Sequence, residues 1–488
     1  MNSKNSLLFV ALAALLALSS CSGLKTTCVT NCTTSGTATL SITLYDTPPT
    51  GMNLLSFTLP ITGISLTPST GSNAPIATTA ASFEATHLQT DSALIADAVS
   101  VPAGTYTTLN VVLGPTTATS NIFINESGST ITWTTGKGGS CANGAVCILP
   151  AGAFYQIPIA LPLTLSGGQD YWIGLDLNLN NAITTAGGLT VDFSQAGVLT
   201  AITTPRTGIP SPAVDTIEDF VGSVTAYTSG SSITVQSNIS GQSITAALTS
   251  STEYDAPDAT YSNCNAAPGC IKVGSTVSID ALLGLNGTLT ASEVDVLDAT
   301  AVDEVEGIIY PTGTANTFAL IVADRDAASG NAVLASATYG TVILLNVTSS
   351  NCLVDTKTLT TPLPNPSGFS NTSDLLAGQV VRAQVSKETS SNGTISATAN
   401  NLLLRFSRLT GTVSQAAGAD FNFTPPSYIT VLNTGLGASP LAYTFNGYTA
   451  FDGIPDASGI TSSSTVSIRT LFLNNTAPNF AVAKVRVP

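Results

Sequence analysis

Strict alternation of apolar and polar side chains is the feature that most restricts this chain. In GTATLSITLYDTPP, starting at Gly36, Leu40, Ile42 and Leu44 fall on one face and Thr39, Ser41 and Thr43 on the other, until Asp46-Thr47-Pro48-Pro49 breaks the run. Successive side chains of a strand point to opposite faces, so the segment reads as a half-buried strand followed by a turn. Comparable runs lie at 57–68, 105–115, 155–165, 171–179 and 188–193, and helical periodicity is nearly absent. Short strands with turn signals between them predict an antiparallel β-sandwich over 36–202.

The Pro-containing stretch TTPRTGIPSPAVDT (203–216) reads as a linker, and beyond it the chain repeats itself. FVGSVTAY (220–227), VEGIIYPT (305–312) and LTGTVSQA (409–416) each place a glycine, Gly222, Gly307 or Gly411, behind an apolar residue and ahead of a short strand. Thr252-Glu253-Tyr254-Asp255 matches Thr449-Ala450-Phe451-Asp452, and EVDV at 293–296 corresponds to KVRV at 484–487. Repeats over 217–300, 301–406 and 407–488 follow, the middle one with an insertion around 355–374. Five or six strand-like runs per repeat fit a small, partly closed barrel best, with a chain of sandwiches as the alternative. The expected fold class is therefore all-β: an N-terminal antiparallel β-sandwich followed by three small β-barrel-like repeats.

Ahead of the sandwich, Lys4 precedes an uncharged apolar run from Leu7 to Leu18. That pattern matches an export signal and is too short to span a bilayer as a helix. The run ends in Leu18-Ser19-Ser20-Cys21, which resembles a bacterial lipobox, so residues 1–20 read as a leader and Cys21 as the acylated first residue of the mature protein, carrying palmitate-type chains. Residues 21–35 then form a polar tether. The expected place is the bacterial cell envelope, at the outer membrane or cell surface, with the lipid bilayer as a partner through acylated Cys21.

Net charge is −15, only 9% of residues are charged and 43% are apolar. Such a chain is too apolar for general disorder and has the wrong sign for nucleic acid or anionic headgroups. Cys28 with Cys32, Cys141 with Cys147 and Cys264 with Cys270 are close pairs, which in an exported protein read as local disulfides that staple loops. Their spacing and the single histidine argue against zinc, and Cys352 is left over as a buried free thiol.

These features resemble two families. The residues G-T-x-x-L-x-I-x-L-x-D-x-P at 36–48, F-x-L-x-I-T-G-I-x-L at 57–66, V-P-A-G-T-Y at 101–106 and L-D-L-N-L at 175–179 resemble domain of unknown function 4382. The V-x-G openings, T-x-[YF] centres, V-G-S-x-V and A-G-Q-V-V turns and N-G-T-[LI]-[ST]-A closes resemble domain of unknown function 5666, although the middle repeat has Asn351-Cys352-Leu353 at its centre. Neither resemblance implies a catalytic residue.

No catalytic set stands out. His87 is the only histidine, no G-x-S-x-G elbow or phosphate loop occurs, and a lone histidine in a turn reads as solvated. Glu293, Asp295, Asp298, Asp303, Glu304 and Glu306 cluster where the first repeat meets the second, a solvated charged edge or, as the alternative, candidate calcium ligands. The runs 324–331 and 176–180 imitate calcium loops weakly. Trp133, Trp172 and Tyr171 are candidate ligand-facing aromatics of the sandwich, Tyr171 and Trp172 pointing to opposite faces. No cofactor other than calcium is expected. The expected function is non-enzymatic binding or adhesion at the envelope, toward glycan or an envelope protein; a ligand-free structural stalk and a carboxylate-based hydrolase are the alternatives.

Overall fold

A computed structural model describes residues 36–487 apart from 50–52, 78–80, 115–120, 128–129, 136–154, 185–189, 257–263, 265–266, 338–340, 364–367, 437–439, 475–479 and single or paired positions elsewhere. The leader and tether, with Cys21, Cys28 and Cys32, lie outside the described residues, and so do Cys141 and Cys147.

Two sheets face each other at the N-terminal end. One runs, in spatial order, Leu199–Ile202, Asp170–Asn178, Thr37–Thr47, Ala93–Pro102. The other runs Thr130–Thr135, Asn121–Ser127, Asn53–Pro68, Gly104–Leu113, Tyr155–Leu165, with two short strands added on Asn53–Pro68. Leu40, Ile42, Leu44, Phe57, Leu109 and Ile173 meet between them in one apolar core. The sandwich is not purely antiparallel, because Thr37–Thr47 pairs in parallel with Asp170–Asn178.

The first strand is also not half-buried. Ser41 and Thr43, on its polar face, are as inaccessible as Leu40 and Ile42. The reason is that the next domain covers this face: Thr43 donates to Asp215 at 2.6 Å, and Trp172 Nε1 donates to Thr43 at 3.0 Å. The polar side of the alternation is thus satisfied by another domain instead of by water.

Three barrel units follow, and they share one strand path. In the first, Ala213–Thr228, Ser232–Gln236, Ser243–Ala247, Thr276–Gly284 and Leu289–Asp298 close a five-strand barrel through a parallel pairing of Ser243–Ala247 with Leu289–Asp298. The second uses Glu304–Pro311, Thr317–Asp326, Val342–Asn346, Val380–Ser391 and Thr394–Arg405 in the same way. Ser407–Ala417, Asp420–Thr424, Leu441–Thr444, Thr465–Phe472 and Phe480–Arg486 form the third. Each barrel adds a short sixth strand, Glu253–Asp255, Asn351–Val354 or Ala450–Asp452, parallel to its last. These are closed barrels, not sandwiches, so among the described residues they leave no long edge for another chain to join.

The repeated glycines have a steric cause. A Cβ at Gly222, Gly307 or Gly411 would sit 2.2, 1.8 or 2.1 Å from the carbonyl oxygen of Gln236, Ile321 or Thr424, on the second strand of its own barrel. The repeated threonine has a hydrogen-bonding cause: Thr252 and Thr449 donate to the last strand at Ala291 O and Val482 O, 2.9 and 2.7 Å. The middle barrel keeps this bond with Ser350, which donates to Ala399 O at 2.7 Å, so its departure at Asn351-Cys352-Leu353 leaves the anchoring intact. Among the described residues no helix is long and apolar enough to cross a membrane.

Candidate functional site

Eight of the chain's fourteen basic residues converge where the sandwich and the three barrels meet: Arg206, Lys357, Arg382, Arg405, Arg408, Arg469, Lys484 and Arg486. Each is buried to within a few per cent at its side chain except Arg206, which is 13% exposed. A charge-poor chain has therefore placed most of its cations in its interior, and each needs a carboxylate there.

Barrel 1 supplies more of those carboxylates than any other unit. Lys357, carried by the insertion in the middle repeat, places Nζ 2.7 Å from Asp219, 3.1 Å from Asp295 and 3.5 Å from Asp280. Arg405 reaches Asp219 at 3.3 Å and Glu306 at 3.4 Å and pairs with Asp355. Arg408, at the start of the third barrel, bonds Asp91 of the sandwich at 2.5 Å and also pairs with Asp219. Arg469 contacts Glu218 at 3.3 Å and Asp280 at 3.4 Å, and Lys484 contacts Glu218 at 3.0 Å. Arg206 bridges Asp215 and Asp452 and lies over the Tyr45 ring. Residues of the stretch 203–216 thus tie the sandwich to both the first and third barrels, and its last residues already pair within the first barrel strand.

Burial alone would raise the Asp219 carboxyl, but Lys357, Arg408 and Arg405 outweigh it and hold the group well below the usual carboxylate range. Lys357 is held above the ordinary lysine range by Asp219, Asp280 and Asp295 despite its burial. Where cations are fewer, burial wins. Asp295 is pushed up to about 6, Glu304 and Asp324 to about 7, and Glu293, beside Asp295, to about 9.

The acidic cluster predicted at 293–306 is consequently neither a solvated edge nor one cation cage. Glu293, Asp295, Asp298, Glu304 and Glu306 are buried, and Asp303 is partly so. Arg382 takes Glu304 at 2.7 Å and Glu306 at 3.4 Å, whereas Lys357 takes Asp295. The carboxylates split between two cations of the middle repeat, Arg382 pairing within its own barrel and Lys357 reaching across to the first. Asp255, Asp295 and Asp355 do hold oxygens within 4.8 Å of one another, a spacing a metal could use, yet Lys357 and Arg405 already supply positive charge to that group. The 324–331 run is no calcium loop either: Asp326 ends a strand and accepts from Thr276 of the first barrel at 2.6 Å.

His87 is not simply solvated. It opens a short 3-10 turn, Leu88 and Gln89 behind it are buried, and burial together with Arg408 pushes its imidazole down to about 3. It lines a small cavity with Glu84, Asp91 and Arg408 between sandwich and barrels.

Of the three disulfides expected from cysteine spacing, the described residues contain one, between Cys264 and Cys270. The expected pairings of Cys28 with Cys32 and of Cys141 with Cys147 are not seen, because Cys28, Cys32, Cys141 and Cys147 all lie outside the described residues. Cys352 is free as expected but half-buried instead of fully buried, and burial pushes its thiol up to about 11, away from nucleophilic use.

The aromatics expected to face a ligand behave differently from one another. Trp172 is 2% exposed, packed under the first barrel with Leu94, Val214 and Ile217, which removes it as a platform. Tyr171 points the other way, partly buried, its hydroxyl accepting from Ser166 N. Trp133 sits in the strand Thr130–Thr135, and its side chain lies outside the described residues.

A larger opening than the one beside His87 lies elsewhere. A cleft of about 550 Å³ separates the first barrel from the third, roofed by Gly208–Pro210. Its wall holds Glu218, Asp280, Glu293, Arg469 and Lys484, and Tyr448 stands at its edge, 41% exposed. Glu293 Oε2, Thr358 Oγ1 and Arg469 Nε are buried in this wall with no hydrogen-bond partner among the described residues. None of these residues except Glu293 was singled out from sequence. The signal was present in the repeats: EVDV of the first unit becomes KVRV in the third, and Asp280 and Arg469 occupy matching strand positions, so equivalent faces carry opposite charge.

Comparison with known families matches two separate stretches of the chain. Residues 37–191 match the family Domain of unknown function (DUF4382). The DUF4382 match covers most of the sandwich, and residues 221–295, most of the first barrel, match Domain of unknown function (DUF5666). The second and third barrels share the strand order of this DUF5666 unit. No curated protein matches the chain.

Proposed function

We propose that this chain is an exported, lipid-anchored protein of the bacterial cell envelope that acts as a non-enzymatic binding module, with its ligand taken into the cleft between the first and third barrels. The observation that carries the reading is the cleft itself. Its volume of about 550 Å³ falls in the range of small-ligand sites, roughly 300–1,000 Å³, and its wall mixes apolar residues with charged ones. A frame locked by buried ion pairs supports it, because a site between rigid units is held in shape before the ligand arrives. Small five-stranded barrels elsewhere bind oligosaccharides or oligonucleotides, an analogy of architecture alone, and the acidic composition here disfavours the latter. The apolar leader and the Leu18-Ser19-Ser20-Cys21 stretch support export and anchoring at Cys21.

The test is capture of isolated envelope material by the full chain carrying Cys21→Ser, which keeps it off the membrane, beside the same protein with Ser251→Trp. Ser251 is exposed at the cleft, so the indole fills the opening without touching a core. Saturable capture lost in the Trp variant is expected. Capture that survives a filled cleft would place binding elsewhere, and absence of capture would leave a structural stalk.

A further inference from the structure

The charge of the cleft narrows the class of ligand, and this inference rests on the cleft being the binding site. Its lining holds four carboxylic side chains, Glu218, Glu253, Asp280 and Glu293, against two cations, Arg469 and Lys484. Both cations are buried and already committed to the first barrel: Lys484 to Glu218, and Arg469 to Glu218 and Asp280. Acid exceeds base in this wall whether or not Glu293 is counted. An anionic ligand meets no accessible positive charge among the described residues of the lining, whereas a cation is drawn in by the wall and by a chain of net charge −15.

The groups this cleft presents to solvent come from equivalent places in two repeats. Thr252 and Thr449 make the same hydrogen bond to the last strand of their barrels, and their neighbours line the cleft: Ser251 and Glu253 from the first barrel, Tyr448 and Ala450 from the third. All four are exposed. Ser251 is engaged with Thr249 at 2.8 Å, and Ser292, the other exposed serine of the lining, donates to Asp280 O at 3.1 Å. Glu253 has neither a hydrogen bond nor an ion pair at its carboxylate among the described residues. Tyr448, 41% exposed, is the one aromatic side chain among the described residues that stands well exposed, and Phe451 lies in the same lining. An uncommitted carboxylate and an open ring face together suit an organic ammonium: the carboxylate accepts its N–H bonds, and the ring attracts the cation and covers the methylenes beside it. We infer that the cleft binds a primary alkylammonium group, its nitrogen at Glu253 and its carbon chain against Tyr448 and Phe451. Glu253 and Tyr448 already face solvent, so no sealed atom of the wall has to open for this contact.

The experiment is calorimetric titration of the full chain carrying Cys21→Ser with hexylamine, 1-hexanol and hexanoate, which put an ammonium, a hydroxyl and a carboxylate on the same carbon chain. Saturable binding of hexylamine is expected, with the other two at least about tenfold weaker. Glu253→Gln weakens hexylamine by about fivefold or more, the scale of one charge-assisted hydrogen bond. Tyr448→Ala weakens it by about threefold or more, and Tyr448→Phe, which keeps the ring, restores most of that loss. Asp170→Asn removes an exposed carboxylate of the sandwich and leaves the affinity unchanged, which separates the cleft from general attraction to an acidic surface. Melting temperatures of the variants confirm that each is folded. No saturable hexylamine binding, equal or tighter binding of hexanol or hexanoate, or equal losses in Glu253→Gln and Asp170→Asn overturns the inference, and so does hexylamine binding that Ser251→Trp leaves intact. Envelope capture that Ser251→Trp abolishes but that Glu253→Gln and excess hexylamine both leave unchanged would sink the ammonium assignment while leaving the cleft as the site.

Discussion

Replacing Lys357 with methionine removes the charge that three barrel-1 carboxylates share. Nζ lies 2.7, 3.1 and 3.5 Å from Asp219, Asp295 and Asp280, and the lysine side chain is fully buried. Breaking one side of a buried ion pair costs about 3–5 kcal/mol, because the carboxylates left behind are neither solvated nor compensated. Asp219 retains Arg405 and Arg408, and Asp280 retains Arg469, but Asp295 has no other ion pair within 4 Å among the described residues, which places the expected loss near ~4 kcal/mol. An unfolding entropy of about 2 cal/mol/K per residue over 488 residues converts this to a fall in Tm of about 4 °C if the body melts as one unit. The loss depends on pH with a definite sign. Lys357 has a raised pKa, so its contribution is complete below the unfolded value of 10.5 and disappears only as pH rises above that. In Lys357→Met the orphaned aspartates bind protons in mild acid, so the gap between variant and parent shrinks from pH 7 to pH 4.5. Denaturant unfolding at both pH values reads this directly, with Lys387→Met, at an exposed lysine, as control. A loss below about 1 kcal/mol at pH 7, or an identical loss at both pH values, would refute the reasoning.

Three further outcomes follow from the same structure. Glu293→Gln stabilises the fold at pH 7: a carboxyl pushed from 4.5 to about 9 costs stability progressively as pH rises through that window, roughly 3 kcal/mol by pH 7, and the amide removes the cost, so an unchanged or lower Tm contradicts the burial argument. Gly307→Ala drives a Cβ into Ile321 O and should cost more than about 3 kcal/mol or prevent folding, whereas Gly104→Ala, with nothing within 4 Å, is tolerated; equal effects in a thermal melt would dismiss the close-approach explanation. His87, pushed down to about 3, keeps constant ring proton shifts by NMR between pH 7.5 and 4.5, and a midpoint near 6.5 would mean the imidazole is solvated.

Much of the architecture was legible in the chain because its cause is local. Period-two alternation marks strands, Gly222, Gly307 and Gly411 mark one backbone crossing in each barrel, and Thr252 and Thr449 mark one hydrogen bond to a last strand. What stayed hidden depends on contacts between distant segments. The polar face of Thr37–Thr47 looks solvated until the first barrel covers it, and Trp172 looks like a platform until Val214 and Ile217 pack against it. Asp219 gives no sign within its own repeat that its partners come from positions 357, 405 and 408. The acidic run at 293–306 was visible, but its reading as an edge failed because charge in one repeat is matched by opposite charge in another. Comparing equivalent positions for sign as well as for similarity would have exposed this, as Asp280 and Arg469 illustrate.

The most direct measurement of the binding claim is a crystal structure of the Cys21→Ser chain grown with the envelope component that it captures. The expected result is density for that component in the cleft between the first and third barrels, beside Tyr448. The component ordered on the sandwich, or a cleft that holds only solvent when the component is saturating, would contradict it.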